Sequence, residues 1–98
     1  MGKYVYVYRG GGMPETPEEG EKLMSAWMGW LGAFGEALVD GGNPFGPSQS
    51  VGAGAASGLT GYSIISADSL DDAVAKTTGC PILAAANGAV EVYETIAM

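Results

Sequence analysis

The segment KYVYVYR, Lys3 to Arg9, alternates strictly: Tyr4, Tyr6 and Tyr8 point one way, Val5 and Val7 the other. A period of two in residues of high β propensity predicts a strand. The valines are expected to face a helix-packed core. The tyrosines are expected on a covered but partly wet face, because each hydroxyl needs a partner when buried. The period then changes. Leu23, Trp27, Trp30 or Leu31, Phe34 and Leu38 recur at spacings of three and four, which predicts a helix over Thr16 to Leu38. Thr16 fits the N-cap, Pro17 the first helical position and Glu19 the capping box. Glu15, Glu18 and Glu19 suit the positive end of the helix dipole. Gly29, Gly32 and Gly35 recur every third residue, and a helical glycine costs about 1 kcal/mol relative to alanine. Either another backbone or a bulky ring approaches along that ridge, or the helix is simply weak.

Further along, ALVDGG begins a second strand that a loop-like run interrupts, and GYSIISA, Gly61 to Ala67, is the clearest internal strand. DSLDDAVAKTTG reads as a short helix with Ser69 as N-cap and Asp72 at the box position. Gly79 is its left-handed terminator, and Pro81 blocks continuation. AVEVYETI, Ala89 to Ile96, is the last strand. The order β-α-β-β-α-β predicts an α+β, ferredoxin-like domain: one antiparallel sheet with two helices on one face. The other face is left bare and is expected to carry the tyrosines of the first strand. A bare apolar face needs a partner, and the simplest is a second copy, sheet face against sheet face.

Between the second and third strands runs DGGNPFGPSQSVGAGAASG, Asp40 to Gly58. Gly52 and Gly54 have the first spacing of a dinucleotide fingerprint, but the third position falls on Ser57 and a strand follows where a helix is required. No Lys-Ser or Lys-Thr closes a glycine run, so the phosphate-loop pattern fails as well. What remains is a long connection. Asp40 and Asn43 turn it, Pro44 and Pro47 stiffen it, and Phe45 anchors it. Connections this long are often functional, which points to closure over a cleft.

Composition narrows the chemistry. Ninety-eight residues make a single domain with one small core, spanning 1–98. Net charge is −7, with Lys3, Arg9, Lys22 and Lys76 scattered, so no nucleic-acid partner and no anionic membrane is expected. The apolar run Leu23 to Val39 is too short and too punctuated to span a bilayer. Cys80 is the one cysteine, which excludes an intrachain disulfide and fits a reducing compartment. With no signal-peptide pattern at the N-terminus, a cytoplasmic location is expected. The sequence has no histidine, so a Ser-His-Asp or Cys-His nucleophile is excluded. No metal site and no cofactor is expected.

The segments ALVDGGNPFGPSQSV, GLTGYSIISADSLDDAVAKTTGCPIL and GAVEVYETIAM together resemble the YCII-related, or DGPF-type, domain family. The likeness covers most of the chain and is most specific from Gly61 to Pro81. It implies a dimeric α/β barrel of ferredoxin-like protomers. Some members carry a His-Asp pair proposed to be catalytic, and that pair has no counterpart in a chain without histidine.

Trp27, Trp30, Asp40 and Tyr62 are the candidate ligand-binding residues, and Asp40, Asp68 and Tyr62 the candidate acid-base groups. Each has a structural alternative: Trp27 and Trp30 as core packing, Asp40 as a turn former, Asp68 as part of a helix start, Tyr62 as a tyrosine with one hydrogen bond. Cys80 follows a helix C-terminus, where the thiol pKa rises, and reads as a packed small residue. Three functions remain open. One is a small-molecule binding or sensing homodimer, with a cleft between sheet, helices and the 40–58 loop. The others are an enzyme using Asp/Tyr acid-base chemistry on a small organic molecule, and a protein-interaction module.

Overall fold

The computed structural model describes residues 2–11, 15–54 and 58–97. Among these, β1 is Gly2–Arg9, α1 is Pro17–Gly32, β2 is Leu38–Asp40, β3 is Leu59–Ala67, α2 is Leu70–Ala75 and β4 is Ala89–Glu94. Short 3-10 turns occupy Gly35–Ala37 and Pro81–Ala84. The four strands form one antiparallel sheet in the order β2-β3-β1-β4. With two helices on one face, this α+β arrangement is compatible with the ferredoxin-like pattern. Gly12 and Ser57, part of the glycine exit and of the fingerprint-like run, lie outside the described residues.

The helix starts follow the capping chemistry of the sequence. Thr16 Oγ1 accepts from the Glu19 N–H at 3.1 Å, and Glu19 reaches back to the N–H of Glu15 at 3.1 Å. Ser69 Oγ likewise accepts from Asp72 N–H at 3.0 Å, while Asp72 accepts from Asp68 N–H at 3.0 Å. α2 stops at Ala75 with Lys76 as its right-handed C-cap, before the expected terminator; Gly79 takes φ +84° in the turn that follows. The first helix, expected to run to Leu38, stops at Gly32. Gly35 takes φ +58°, a left-handed conformation that glycine adopts without strain and that no helix continues through. Among the described residues, no atom lies within 4 Å of where a Cβ would sit on Gly29 or Gly32, apart from the helix's own backbone and chain neighbours, so none of them approaches that ridge.

The faces of β1 are the reverse of the expectation. Tyr4, Tyr6 and Tyr8 are buried beneath the helices, while Val5 and Val7 lie half-buried on the helix-free face. Two features explain the inversion. The β3 residues opposite two of the tyrosines are small: Gly61 pairs with Tyr8 and Ser63 with Tyr6. Ala73 of α2 is small and fully buried too, so this layer has room for rings and would be underfilled by valines. The buried hydroxyls also find partners. Tyr6 Oη donates to the carbonyl of Ala73, Tyr8 Oη donates to Ser63 Oγ at 2.8 Å, and Ser63 Oγ donates to the Gly41 carbonyl at 2.7 Å. From α1, Trp30 stacks on Tyr6 with centroids 6.0 Å apart, and Trp27 meets Tyr8 edge-on at 4.9 Å.

The core is small for the chain. No residue of α1 is buried. Accessible surface is 6874 Å² for 9.9 kDa. A monomer of that mass typically exposes about 5,200 Å², so this chain exposes about a third more.

Replacing Gly29 or Gly32 by Ala is expected to stabilise the chain by about 1 kcal/mol each, because propensity improves and no neighbour is displaced. Ser63→Ala is expected to cost about 1–3 kcal/mol, since it strands both the Tyr8 hydroxyl and the Gly41 carbonyl. Thermal unfolding of the three variants checks both signs.

Candidate functional site

The candidate residues divide between the two sides of the sheet. Trp27 and Trp30 sit on the helix side and form an edge-to-face pair at 5.8 Å; Phe34 continues the row 5.0 Å from Trp30. Trp30 Nε1 donates to the Thr78 carbonyl at 3.2 Å, tying α1 to the turn after α2. Beside this row lies a hollow of about 200 Å³ lined by Trp30, Ala33, Phe34 and Lys76. The tryptophans therefore spend most of their contact on packing, and one flank of Trp30 remains available.

Tyr62 pairs with Val7 and so belongs to the helix-free face. Its ring stacks on Phe45 at 5.8 Å with an interplanar angle of 21°. The loop is held there by backbone contacts: Pro44 bridges Gly61, and the Phe45 N–H donates to the Thr60 carbonyl at 2.9 Å. Gly42, at φ +74°, is required for this approach, because a Cβ there would lie 1.7 Å from the Tyr62 carbonyl oxygen. Phe45 is thus the loop anchor. It rests on Tyr62 at the sheet and is itself half exposed.

Asp40 Oδ1 accepts from Gly42 N–H at 2.8 Å, which makes the carboxylate the organiser of the turn that Gly42 completes. Asp68 is exposed at the start of α2, where its backbone N–H is bonded to Asp72. Asp72 also faces Lys76 at 3.9 Å. The structure thus brings the Asp40 turn and Tyr62 together through Gly42, and places Trp27 and Trp30 on the other side of the sheet. It gathers no Asp, Tyr and Trp set into one cleft.

The loop forms a trough of about 440 Å³ lined by Phe45, Gly46, Pro47, Ser48, Gln49, Ser50, Gly58 and Leu59. Every lining residue is exposed and none is charged. The next element of the chain after the trough residues is the strand β3, not a helix. Among the described residues, no three His, Cys, Asp or Glu side chains come together as a metal site would require.

One polar cluster went unread in the sequence. On the helix-free face, Arg9 Nη2 meets Glu91 Oε1 at 3.2 Å, and Tyr93 Oη donates to Glu91 Oε2 at 2.9 Å. Its signal was the alternation in AVEVYE, which puts Glu91 and Tyr93 on one face of β4. The hydrogen bond from Tyr93 to the Glu91 carboxylate, and that carboxylate's charge, raise the Tyr93 pKa. Below the sheet, burial pushes the Cys80 thiol up to about 11 and the Tyr6 phenol up to about 12, and burial raises Tyr8 as well. The Cys80 shift has the expected direction, with burial as its leading cause.

No protein-family model, curated protein or solved structure matches the chain.

Because the folded Tyr6 and Cys80 pKa values lie above their ordinary values of 10.0 and 9.0, both groups favour the fold while neutral. Their contribution is complete below about pH 9 and is lost as pH rises through about 11 for Cys80 and about 12 for Tyr6. Stability measured by denaturant titration is expected to fall across that alkaline window. Cys80 is expected to resist a thiol reagent at pH 8 until the chain unfolds.

Proposed function

We propose that the protein is a homodimer, a dimeric α/β barrel assembled sheet face against sheet face, that binds a small neutral apolar or aromatic molecule in the trough beside Phe45 and Tyr62. The observation that carries this reading is the helix-free face itself. It presents Val5, Val7 and Ile64 at its centre, Tyr62 and Tyr93 beside them, and the Arg9–Glu91 pair among them. An apolar centre with tyrosine and arginine around it is the make-up of a protein interface.

The surface excess supports the same conclusion. A standard interface removes about 800 Å² per partner and obligate ones more, and the chain exposes well over that amount beyond a monomer of its mass. The trough's about 440 Å³ lies within the about 300–1,000 Å³ of ordinary ligand sites. Its lining of Phe45, Pro47 and Leu59 with Ser48, Gln49 and Ser50 suits an apolar body with a few hydrogen-bonding groups. Because every lining residue is exposed in one protomer, a facing copy is what would close it. The Asp40 carboxylate accepts from the Gly42 N–H within its turn, which favours binding over acid-base catalysis there.

Native mass spectrometry of freshly purified protein is expected to give twice the 9.9 kDa chain mass with a small-molecule adduct. Val7→Glu is expected to give monomer, and Phe45→Ala a dimer without adduct. A wild-type monomer at micromolar concentration would contradict the assembly. A wild-type dimer that never carries or takes up an adduct would contradict the binding site.

A further inference from the structure

The outward side of α1 combines two features that no neighbour among the described residues uses. Glu18, Glu21, Met24, Met28 and Gly32 follow one another at spacings of three and four, which places them along one stripe of the helix. All five are exposed, Met24 and Met28 at 65% and 69%. The stripe is acidic in its first half and apolar in its second. Across the rest of the outward side from Leu23 to Phe34 lie Ser25, Ala26, Gly29 and Ala33, with no charge. Lys22 is the one cation on α1, against Glu18, Glu19 and Glu21, with Glu15 just before the helix. Among the described residues, no cation lies within salt-bridge distance of Glu18 or Glu21.

We infer that this stripe is a docking surface for a cationic amphipathic helix of a partner protein. Charge selects that occupant. A second copy docked on this stripe would set acidic helix starts against each other if packed parallel, and each acidic start against the other's methionines if packed antiparallel. It would also add a self-complementary interface opposite the sheet face, and two such parallel faces build an open stack rather than a closed particle. A helix with lysines or arginines along one half and apolar residues along the other matches both halves of the stripe. Exposed methionines adapt to varied apolar side chains, and the open space at Gly29 and Gly32 admits a large one. Glu18 to Gly32 spans about 21 Å, which accommodates about four turns of partner helix. α1 packs on the tyrosine side of the sheet, so this surface stays outward whether or not the sheet faces pair.

The experiment is a titration of the 98-residue chain, labelled with ¹³C at the methionine ε-methyls, with a synthetic 18-residue amphipathic Lys/Leu helix peptide and with the same peptide carrying Glu for Lys. The expected result is saturable shifts at Met24 and Met28 with the Lys peptide and none with the Glu peptide. Glu18→Lys with Glu21→Lys, and separately Met24→Ser with Met28→Ser, are expected to weaken binding at least tenfold. Circular dichroism confirms that these exposed substitutions leave the fold intact. Absence of shifts at Met24 and Met28, equal shifts with both peptides, or unchanged affinity in either double variant would overturn the inference. Particle mass recorded on the same samples keeps this outcome separate from that of the sheet-face dimer.

Discussion

Burial of three tyrosine rings along one strand is the constraint on which the rest of this fold depends. A tyrosine enters a core only if its ring finds space and its hydroxyl finds a partner. Gly61, Ser63 and Ala73 provide the space for Tyr8 and Tyr6. The hydroxyl partners come from separated parts of the chain: Ala73 on α2, Ser63 on β3 and, through Ser63, Gly41 after β2. These bonds tie both halves of the chain to β1. They also fix which face of β1 is inside, because a shift of one residue would expose all three rings and bury valines against a layer too open for them.

The two sides of the sheet are consequently unequal. The helix side is filled by aromatic contacts of Tyr6, Tyr8, Trp27, Trp30 and Phe34, yet α1 lies so shallowly that none of its own residues is buried. The helix-free side carries a compact apolar centre with the Arg9–Glu91–Tyr93 cluster beside it and the Phe45–Tyr62 stack along β3. The two-layer slab measures 42 × 38 × 20 Å, and both of its outer faces are partly apolar. Charge then separates the two faces. The sheet side holds a paired Arg9 and Glu91, whereas α1 begins in a group of glutamates.

Much of the architecture was legible in the sequence, because caps and periods are local. Thr16 and Ser69 cap their helices where their chemistry placed them, whereas α2 ends at Lys76, short of Gly79; the β-α-β-β-α-β order produced the observed sheet order. The facing of β1 was misread because it is not local. Tyr and Val both suit a strand, and the deciding residues, Gly61 and Ser63, lie more than fifty positions away. The signal was present in GYSIISA, whose alternate positions begin small, but it has meaning only once β1 and β3 are paired. The helix was expected six residues too long because spacing weighed more than Gly35, whose positive φ ends it. Of the site candidates, Tyr62 and Phe45 were placed together by the loop. Asp40 organises its turn and Trp27 and Trp30 pack in the ring row, while the Asp68 carboxylate is exposed beside a helix start that Ser69 and Asp72 hold.

The central claim is that tyrosines face the helices and valines face a second copy. An isotope-filtered nuclear Overhauser experiment, on a mixture of labelled and unlabelled chains, tests it most directly. The expected result is contacts between the rings of Tyr6 and Trp30 within one chain, and contacts from the methyls of Val5, Val7 and Ile64 to the other chain. Contacts from Val5 and Val7 to Trp27 or Trp30 within a chain would contradict the account.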